Sequence, residues 1–592
     1  MMMRRSMALI LGCSMLAGGA VPVVGRTPLP KPVPPAVNDS PVRCNTRSQA
    51  EYPTGMYRSA PVGASRGIMH GNIASPPPPP PPPPPVVGMP SPKIAADASR
   101  AQVAEVKAHP GRVMPPQYMP PPPESRDRYA GEAVASIMAV AEQPVSTFSV
   151  DVDTASYANV RRFLSDGQLP PAGAVRTEEM VNYFRYDYET PADRSRPFAL
   201  SADMSRTPWN ADTRLLRIGI NGYDLAKDKR PPANLVFLVD VSGSMFSQDK
   251  LPLVKSSLAM LADRLSPQDR VSIVVYAGAA GIVLEPTSQP HYIKAALDCL
   301  QAGGSTAGGQ GMELAYATAR AHFIKGGVNR VIMATDGDFN VGISSQDGIE
   351  AIVKKNRESG ITLTTLGFGR GNLNDAMMEK VADIGNGNYA YIDSAIEAQK
   401  VLDEEMAATL FTIAKDVKIQ IEFNPAQVKE YRLIGYENRI LAEEDFNNDK
   451  VDAGDIGAGH QVTALYEIVP AFGRGWLPER RYEANRAAVK PSGPDSEMAW
   501  LKLRYKLPDG DKSMLIERPV PASWISSAAA PRGDTAFAAS VAAFGQKLRG
   551  DKYLGGYGWA DIRALAGEQR GYLREEYLKL VGLAAAQSRE AQ

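Results

Sequence analysis

Asn234-Leu-Val-Phe-Leu-Val-Asp240-Val-Ser242-Gly-Ser244 joins an uninterrupted apolar run to three oxygen-bearing side chains at alternate positions. A run rich in Val, Leu and Phe with no polar break reads as a strand covered on both faces, as in a parallel sheet flanked by helices. Ligands of such sheets sit at the carboxyl ends of the strands, where this loop falls. One carboxylate with two hydroxyls suits Mg²⁺, Mn²⁺ or Ca²⁺ better than zinc, which prefers His and Cys.

Ser, Gly and Asp also build ordinary turns, so this loop alone is weak. Two further segments join it. Gly303-Gly-Ser-Thr306-Ala-Gly-Gly309 is a flexible loop carrying hydroxyls just before a helical pattern, and Asn329-Arg-Val-Ile-Met-Ala-Thr-Asp336-Gly-Asp338 is a second strand ending in carboxylates. In that order the three segments resemble the von Willebrand factor type A domain and its metal-ion-dependent adhesion site. The resemblance implies that Ser242, Ser244 and Thr306 bind a cation through their hydroxyls, while Asp240 and Asp336 hold its waters. It also implies an open coordination position that accepts an Asp or Glu carboxylate from a partner protein. Ser305 is the alternative to Thr306, which fits the family's position; Asp338 reads as a solvated turn residue.

The flanks carry the resemblance outward. Phe148-Ser-Val-Asp-Val-Asp-Thr-Ala-Ser-Tyr157 before, and Asp445-Phe-Asn-Asn-Asp449 to His460 after, are similar to exported bacterial proteins of this family, which have a characteristic N-terminal segment and a C-terminal domain of unknown function. The implied role is metal-dependent protein binding without catalysis. A structural envelope protein with a non-functional site is one alternative. A metal-assisted hydrolase is the other, and it would need a general base, for which Asp338 is the obvious candidate.

With 592 residues, 44% hydrophobic and 22% charged, the chain has room for several domains, and its zero formal net charge gives no electrostatic case for nucleic acid. Met-Met-Met-Arg4-Arg5, an apolar stretch and the small residues Leu16-Ala-Gly-Gly-Ala20 fit a secretory signal peptide over 1–25. Ile10-Leu-Gly-Cys13 resembles a bacterial lipobox, so lipidation at Cys13 competes with cleavage near Ala20. Either outcome places the protein in the periplasm or cell envelope. Cys13, Cys44 and Cys299 suggest no disulfide framework, and Cys299, in a helical pattern, reads as a small core residue.

Residues 26–126 are dominated by Pro, Ser, Gly and Arg, with ten consecutive prolines from Pro76 to Pro85, and read as a disordered tether. Residues 127–229 read as an α+β segment with helices over Tyr157–Leu164 and Thr177–Phe184 and strands over Phe198–Met204 and Arg214–Ile220. Asp151 and Asp153 there read as a strand-to-helix cap. Residues 230–411 alternate strands and helices in the manner of a doubly wound, Rossmann-like α/β fold, with helices at 251–265, 291–301, 310–323, 346–358, 373–384 and 394–410. Alternating strands follow over 412–530, and a helical tail over 531–592 carries Phe537, Val541, Phe544 and Leu548 on one stripe. Strands on either side of the α/β unit are expected to share one β-sandwich, because neither set is complete alone.

Two other patterns are set aside. Asp445, Asn447 and Asp449 match the first ligand positions of an EF-hand, yet Lys450 stands where that loop needs Gly and Ile456 where it needs Glu, so a solvated acidic hairpin is expected. Arg532-Gly-Asp534 is too short a motif to carry weight, and the five histidines show no ligand spacing.

Overall fold

Period-two alternation in the decisive run sends Leu235, Phe237 and Val239 to one face of a sheet and Val236 and Leu238 to the other, and both sets are buried in separate apolar clusters. The structure is a computed structural model that describes residues 41–43, 126–150, 152–191, 196–225, 230–305, 308–337, 346–405, 408, 410–478, 496–508 and 510–590. In chain order it begins with β1 (Met138–Ala139), β2 (Val145–Ser149), α1 (Ala155–Ser165), α2 (Thr177–Asn182), β3 (Phe198–Arg206) and β4 (Arg214–Gly222). Next come β5 (Ala233–Asp240), α3 (Leu251–Ala262), β6 (Arg270–Tyr276), β7 (Ala280–Thr287), α4 (Pro290–Asp298), α5 (Gly308–Ala321) and β8 (Val328–Thr335). These are followed by α6 (Gln346–Glu358), β9 (Thr362–Phe368), α7 (Asp375–Ile384), β10 (Tyr389–Ile392) and α8 (Ala395–Gln399). The chain continues with β11 (Thr412–Phe423), β12 (Val428–Ile434), β13 (Ile440–Leu441), β14 (Ile456–Gly457), β15 (Gln461–Pro470), β16 (Glu497–Lys506) and β17 (Ser513–Pro521). It closes with α9 (Ser523–Ser527), α10 (Gly533–Arg549), α11 (Trp559–Ala566) and α12 (Tyr572–Glu590).

The α/β unit is a six-stranded sheet in the order β10-β9-β8-β5-β6-β7. Its strands are parallel except β7, which returns antiparallel to β6. The chain runs from β5 to β6 on one side and resumes with β8 on the other, so the strand order reverses beside β5 and opens a crevice at the carboxyl ends. In α3, Leu251, Val254, Leu258 and Leu261 are buried and Leu253 is partly covered, as is Leu265 just past the helix end. Regular helix after β10 gives way at Gln399 to a π-turn over Lys400–Glu404, and residues 408 and 410 are helical again, so the helix expected over 394–410 is interrupted by a wider turn.

The sandwich is shared, as expected. One sheet has the order β1-β12-β15-β4-β3 and the other β13-β2-β11-β16-β17. Tyr466 lies opposite Leu216 and Val462 opposite Ile220, so a strand from before the α/β unit is paired with one from after it. Likewise Phe148 lies opposite Ile419. Leu216, Ile218, Ala464 and Tyr466 meet Ile419, Ile421, Leu501 and Leu503 between the sheets. On the outer face, Leu215 and Leu465 pack against Phe537, Val541 and Phe544 of α10, with Leu548 partly buried. Arg432 is buried there and donates to Glu467, Asp551 and Gln546, tying that helical layer to the sheet.

Three expectations are corrected. The stretch 26–126 does not leave the fold along its whole length: Val42 bridges Leu284 in antiparallel pairing, Arg43 donates its N–H to Val283 O at 2.9 Å, and its guanidinium meets Glu285 at 2.6 Å. Asp153 is no helix cap, because Thr154 holds that position; its carboxylate accepts the N–H of Tyr389 at 2.8 Å and so ties α1 to β10, while Asp151 lies outside the described residues. Cys299 is half-buried and disulfide-bonded rather than a core thiol. Cys13, Cys44, the leader and the ten-proline run lie outside the described residues.

Candidate metal centre

Register places the site. Val239 of β5 lies opposite Ala334 of β8, which sets Asp240 level with Thr335 and Asp336 one residue beyond. Asp240, Ser242 and Asp336 are all within 1% of full burial. One Asp240 oxygen accepts the Ser242 N–H at 2.9 Å, and the other accepts the Thr335 hydroxyl at 3.0 Å. The Thr335 hydroxyl oxygen in turn accepts the Gly337 N–H at 3.1 Å. Gly337 has φ +91°, and a Cβ there would collide with the backbone of Asn374, so only glycine turns the chain away from the strand end.

The two serine hydroxyls approach each other on the adjoining turn. Ser242 Oγ and Ser244 Oγ are 3.0 Å apart, within a 3-10 turn over Gly243–Phe246. The glycine-rich loop is stitched to this turn by Gly243 N–H to Gly304 O at 3.0 Å and by Gly303 N–H to Val241 O at 2.8 Å. Thr306 and Asp338 lie outside the described residues; Ser305, the alternative third-loop hydroxyl, is exposed. Burial pushes the Asp240 carboxyl up to about 6, the nearby charge of Asp336 adds to the rise, and the hydrogen bonds from Ser242 and Thr335 oppose it.

Sequence reasoning missed Lys250. It stands at the N-cap of α3, is 7% exposed, and its ammonium donates to Asp336 Oδ2 at 2.9 Å and to Asn372 Oδ1 at 2.8 Å. Its stem fits against Gly369, where φ is +75° and any Cβ would collide with the lysine. The only signal in the chain is a lysine immediately before Leu251-Pro252, at a helix start where a cation is unfavourable.

The donor chemistry fits a hard divalent cation. Two buried carboxylates and a pair of hydroxyls supply oxygen alone, and an ammonium already sits against one carboxylate as a stand-in cation. Among the described residues no group of three or more His, Cys, Asp or Glu side chains is arranged to hold a metal ion, so a site here depends on hydroxyls. Phe246, on the turn that carries Ser244, is 79% exposed at the rim. The neighbouring cleft of about 260 Å³ is lined by Asp249, Gly369, Arg370 and Asp393. Its charges are mutually engaged, with Arg161 on Asp393, Glu397 and Glu576, and Arg370 on Asp166.

The von Willebrand factor type A domain model matches residues 234–405, a model described as von Willebrand factor matches 123–217, and the model of the C-terminal part of uncharacterized protein YfbK matches 408–586. The chain is 50% identical over 457 residues, 75% of its length and 79% of the relative's, to the uncharacterized protein YfbK of Escherichia coli (strain K12). It belongs to the YfbK family of von Willebrand factor type A domain proteins. Uncharacterized protein sll0103 of Synechocystis sp. is 33% identical over 187 residues, 31% of this chain and 43% of that protein. Among solved structures, von Willebrand factor type A from Catenulispora acidiphila aligns with 69% of this chain and 89% of its own at 14% identity and a TM-score of 0.37. In this YfbK-family chain the type A unit is the segment that carries Asp240, Ser242, Ser244 and Asp336.

Proposed function

We propose that the protein is a metal-dependent docking module of the bacterial cell envelope that binds partner proteins and performs no catalysis. Asp240, Ser242, Ser244, Thr306 and Asp336 would hold one divalent cation, Mg²⁺ first, and an Asp or Glu carboxylate of the partner would complete its coordination. The observation that carries this reading is the 3.0 Å approach of the Ser242 and Ser244 hydroxyls beside two buried carboxylates at the strand-order reversal. Exposed Phe246 on the same turn supplies the apolar contact that a docking partner would cover.

Placement in the envelope rests on the leader-like N-terminus. Among the described residues no helix is long and apolar enough to cross a membrane. Titration of Mg²⁺, Mn²⁺ and Ca²⁺ into the purified protein by calorimetry tests the cation, with Asp240→Ala as control. Capture of partners from envelope extract, with and without EDTA, tests the docking role. Uptake of no cation by the wild-type protein would overturn this reading in favour of a structural one.

A further inference from the structure

Lys250 incurs two costs where it stands: it is a buried ammonium, and it sits at a helix N-terminus, the end that repels cations. It also caps α3 with no side-chain hydrogen bond to the helix. What it gains is specific. Its ammonium is divided between Asp336 Oδ2 at 2.9 Å and Asn372 Oδ1 at 2.8 Å, and Gly369 keeps a channel open for its stem. Asp336 is therefore shared between the candidate metal centre and a cation that belongs to the chain.

We propose that Lys250 is a resident competitor that sets the metal affinity of this centre, with Asn372 as the second seat of its ammonium. This rests on the metal-binding reading above. The two carboxylates, Asp240 and Asp336, present two negative charges, and the ammonium cancels one of them, so an incoming divalent ion meets a weaker field than the acidic residues alone would give. Asn372 offsets that competition. A neutral amide oxygen can retain the ammonium after Asp336 turns to the metal or its waters, so the lysine is not left buried without an acceptor. The site is thereby tuned to release its ion, and with it any carboxylate partner.

The test is Mg²⁺ and Mn²⁺ calorimetry on the full chain and three variants. Lys250→Met should tighten the dissociation constant about tenfold, since it removes a unit positive charge next to a ligand. Lys250→Gln, which keeps a hydrogen-bond donor toward Asp336 and Asn372, should tighten it in the same direction and guards against a misfolded Met variant. Asn372→Ala should move the constant the other way, because the ammonium then has Asp336 alone. A purely structural lysine would not give opposite signs at the two positions. Near-ultraviolet circular dichroism identifies the folded variants to be compared. If the wild-type protein binds metal and both Lys250 variants bind it with unchanged or weaker affinity, the role of Lys250 is overturned while the metal centre stands. If the wild type and all variants fail to bind, the metal centre falls and this inference with it.

Discussion

Two acidic loops of this molecule each face a buried lysine, and they end differently. In the loop over Asp445–Asp449, Lys418 donates to the backbone carbonyls of Asp445 at 3.0 Å and Asn448 at 2.7 Å, while Asp449 is engaged by Arg504 and Ser513. The ammonium holds the backbone oxygens, and the side-chain carboxylate is neutralised from outside. In the loop over Asp240–Ser244, Lys250 takes a single oxygen of Asp336, while Asp240, Ser242 and Ser244 are arranged around one another by their own hydrogen bonds. A lysine that captures carbonyls closes a loop; a lysine that shares one carboxylate leaves the Ser242 and Ser244 hydroxyls paired on the turn beside it. Acidic residues at alternate positions do not distinguish these cases, and the partner of the nearest cation does.

Separating the loops physically should have the largest effect. Residues 127–229 and 412–592 should each be insoluble alone, because β4 without β15 and β11 without β2 present open edges, and should recover on co-expression with the rest. The α/β unit over 230–411, whose sheet the sequence suggests is covered by its own helices, is expected to aggregate as well. Its β10 is covered by α1, and Asp375 and Glu397 receive their charge partners from Arg176 and Arg161 outside the unit. A soluble, cooperatively melting 230–411 fragment would show those contacts to be dispensable.

Next in size is Asp336→Ala. A rim position would tolerate this change, but Asp336 is fully buried against Lys250, so the substitution leaves the buried ammonium on the neutral Asn372 oxygen without that carboxylate's charge and should lower the stability of the metal-free protein by about 3–5 kcal/mol. Chemical denaturation of Asp336→Ala and of the double variant Asp336→Ala/Lys250→Met checks it, with the double variant recovering most of the loss. Equal stability of wild type and single variant would place the ammonium in water.

Saturating Mg²⁺ should come third, raising wild-type stability by about 2.7 kcal/mol at a hundred times the dissociation constant. The same addition should leave Asp240→Ala unmoved, because the Lys418 loop offers no second site. Fourth, Lys418→Met should cost about 1–3 kcal/mol through the loss of donors to Asp445 and Asn448, without creating Ca²⁺ binding. Calcium uptake by that variant would mean that the two loops differ only in their lysine.

The smallest effect is a pH dependence in the same acidic segment. The Asp455 carboxyl is pushed up to about 7 by burial, then by the charge of Asp416, and it accepts a hydrogen bond from Asn386 of the α/β unit. The folded protein therefore holds a proton that the unfolded chain releases near the ordinary value of 3.8, so this group's contribution to stability falls as pH rises from about 4 to about 7. Melting temperature should accordingly drop by roughly a few degrees between pH 5.5 and 8, and Asp455→Asn should flatten that slope.

The elements legible in the chain were those whose environment is written locally. Leu235–Val239 announces a doubly covered strand, the turn chemistry after it announces the loop, and unpartnered alternating strands on both flanks imply a common sandwich. What escaped was set by tertiary placement. β7 is half-buried, with Glu285 and Pro286 breaking any pattern, so it carries no strong strand signal. Nothing in the local sequence marks Arg161 and Arg176, which the fold brings to Asp393, Glu397 and Asp375. Lys250 belongs with them, since nothing in Asp249-Lys250-Leu251 says where its ammonium goes.

Pairing at Val42 and Arg43 on β7 changes how mechanical load would enter the molecule. The chain next makes a described contact at Arg126, whose N–H donates to Gly371 O, and Arg128 follows against Leu373. The proline-rich stretch is thus fastened at both ends to the α/β unit, and its contour length adds nothing to the distance at which that unit can be held. A pull from upstream would reach the edge strand β7 first. It would have to peel Val42 from Leu284 and break the Arg43–Glu285 pair, and because Cys299 is disulfide-bonded while the chain's other cysteines, Cys13 and Cys44, lie upstream of the proline run, a covalent link to the α/β unit stands behind those contacts.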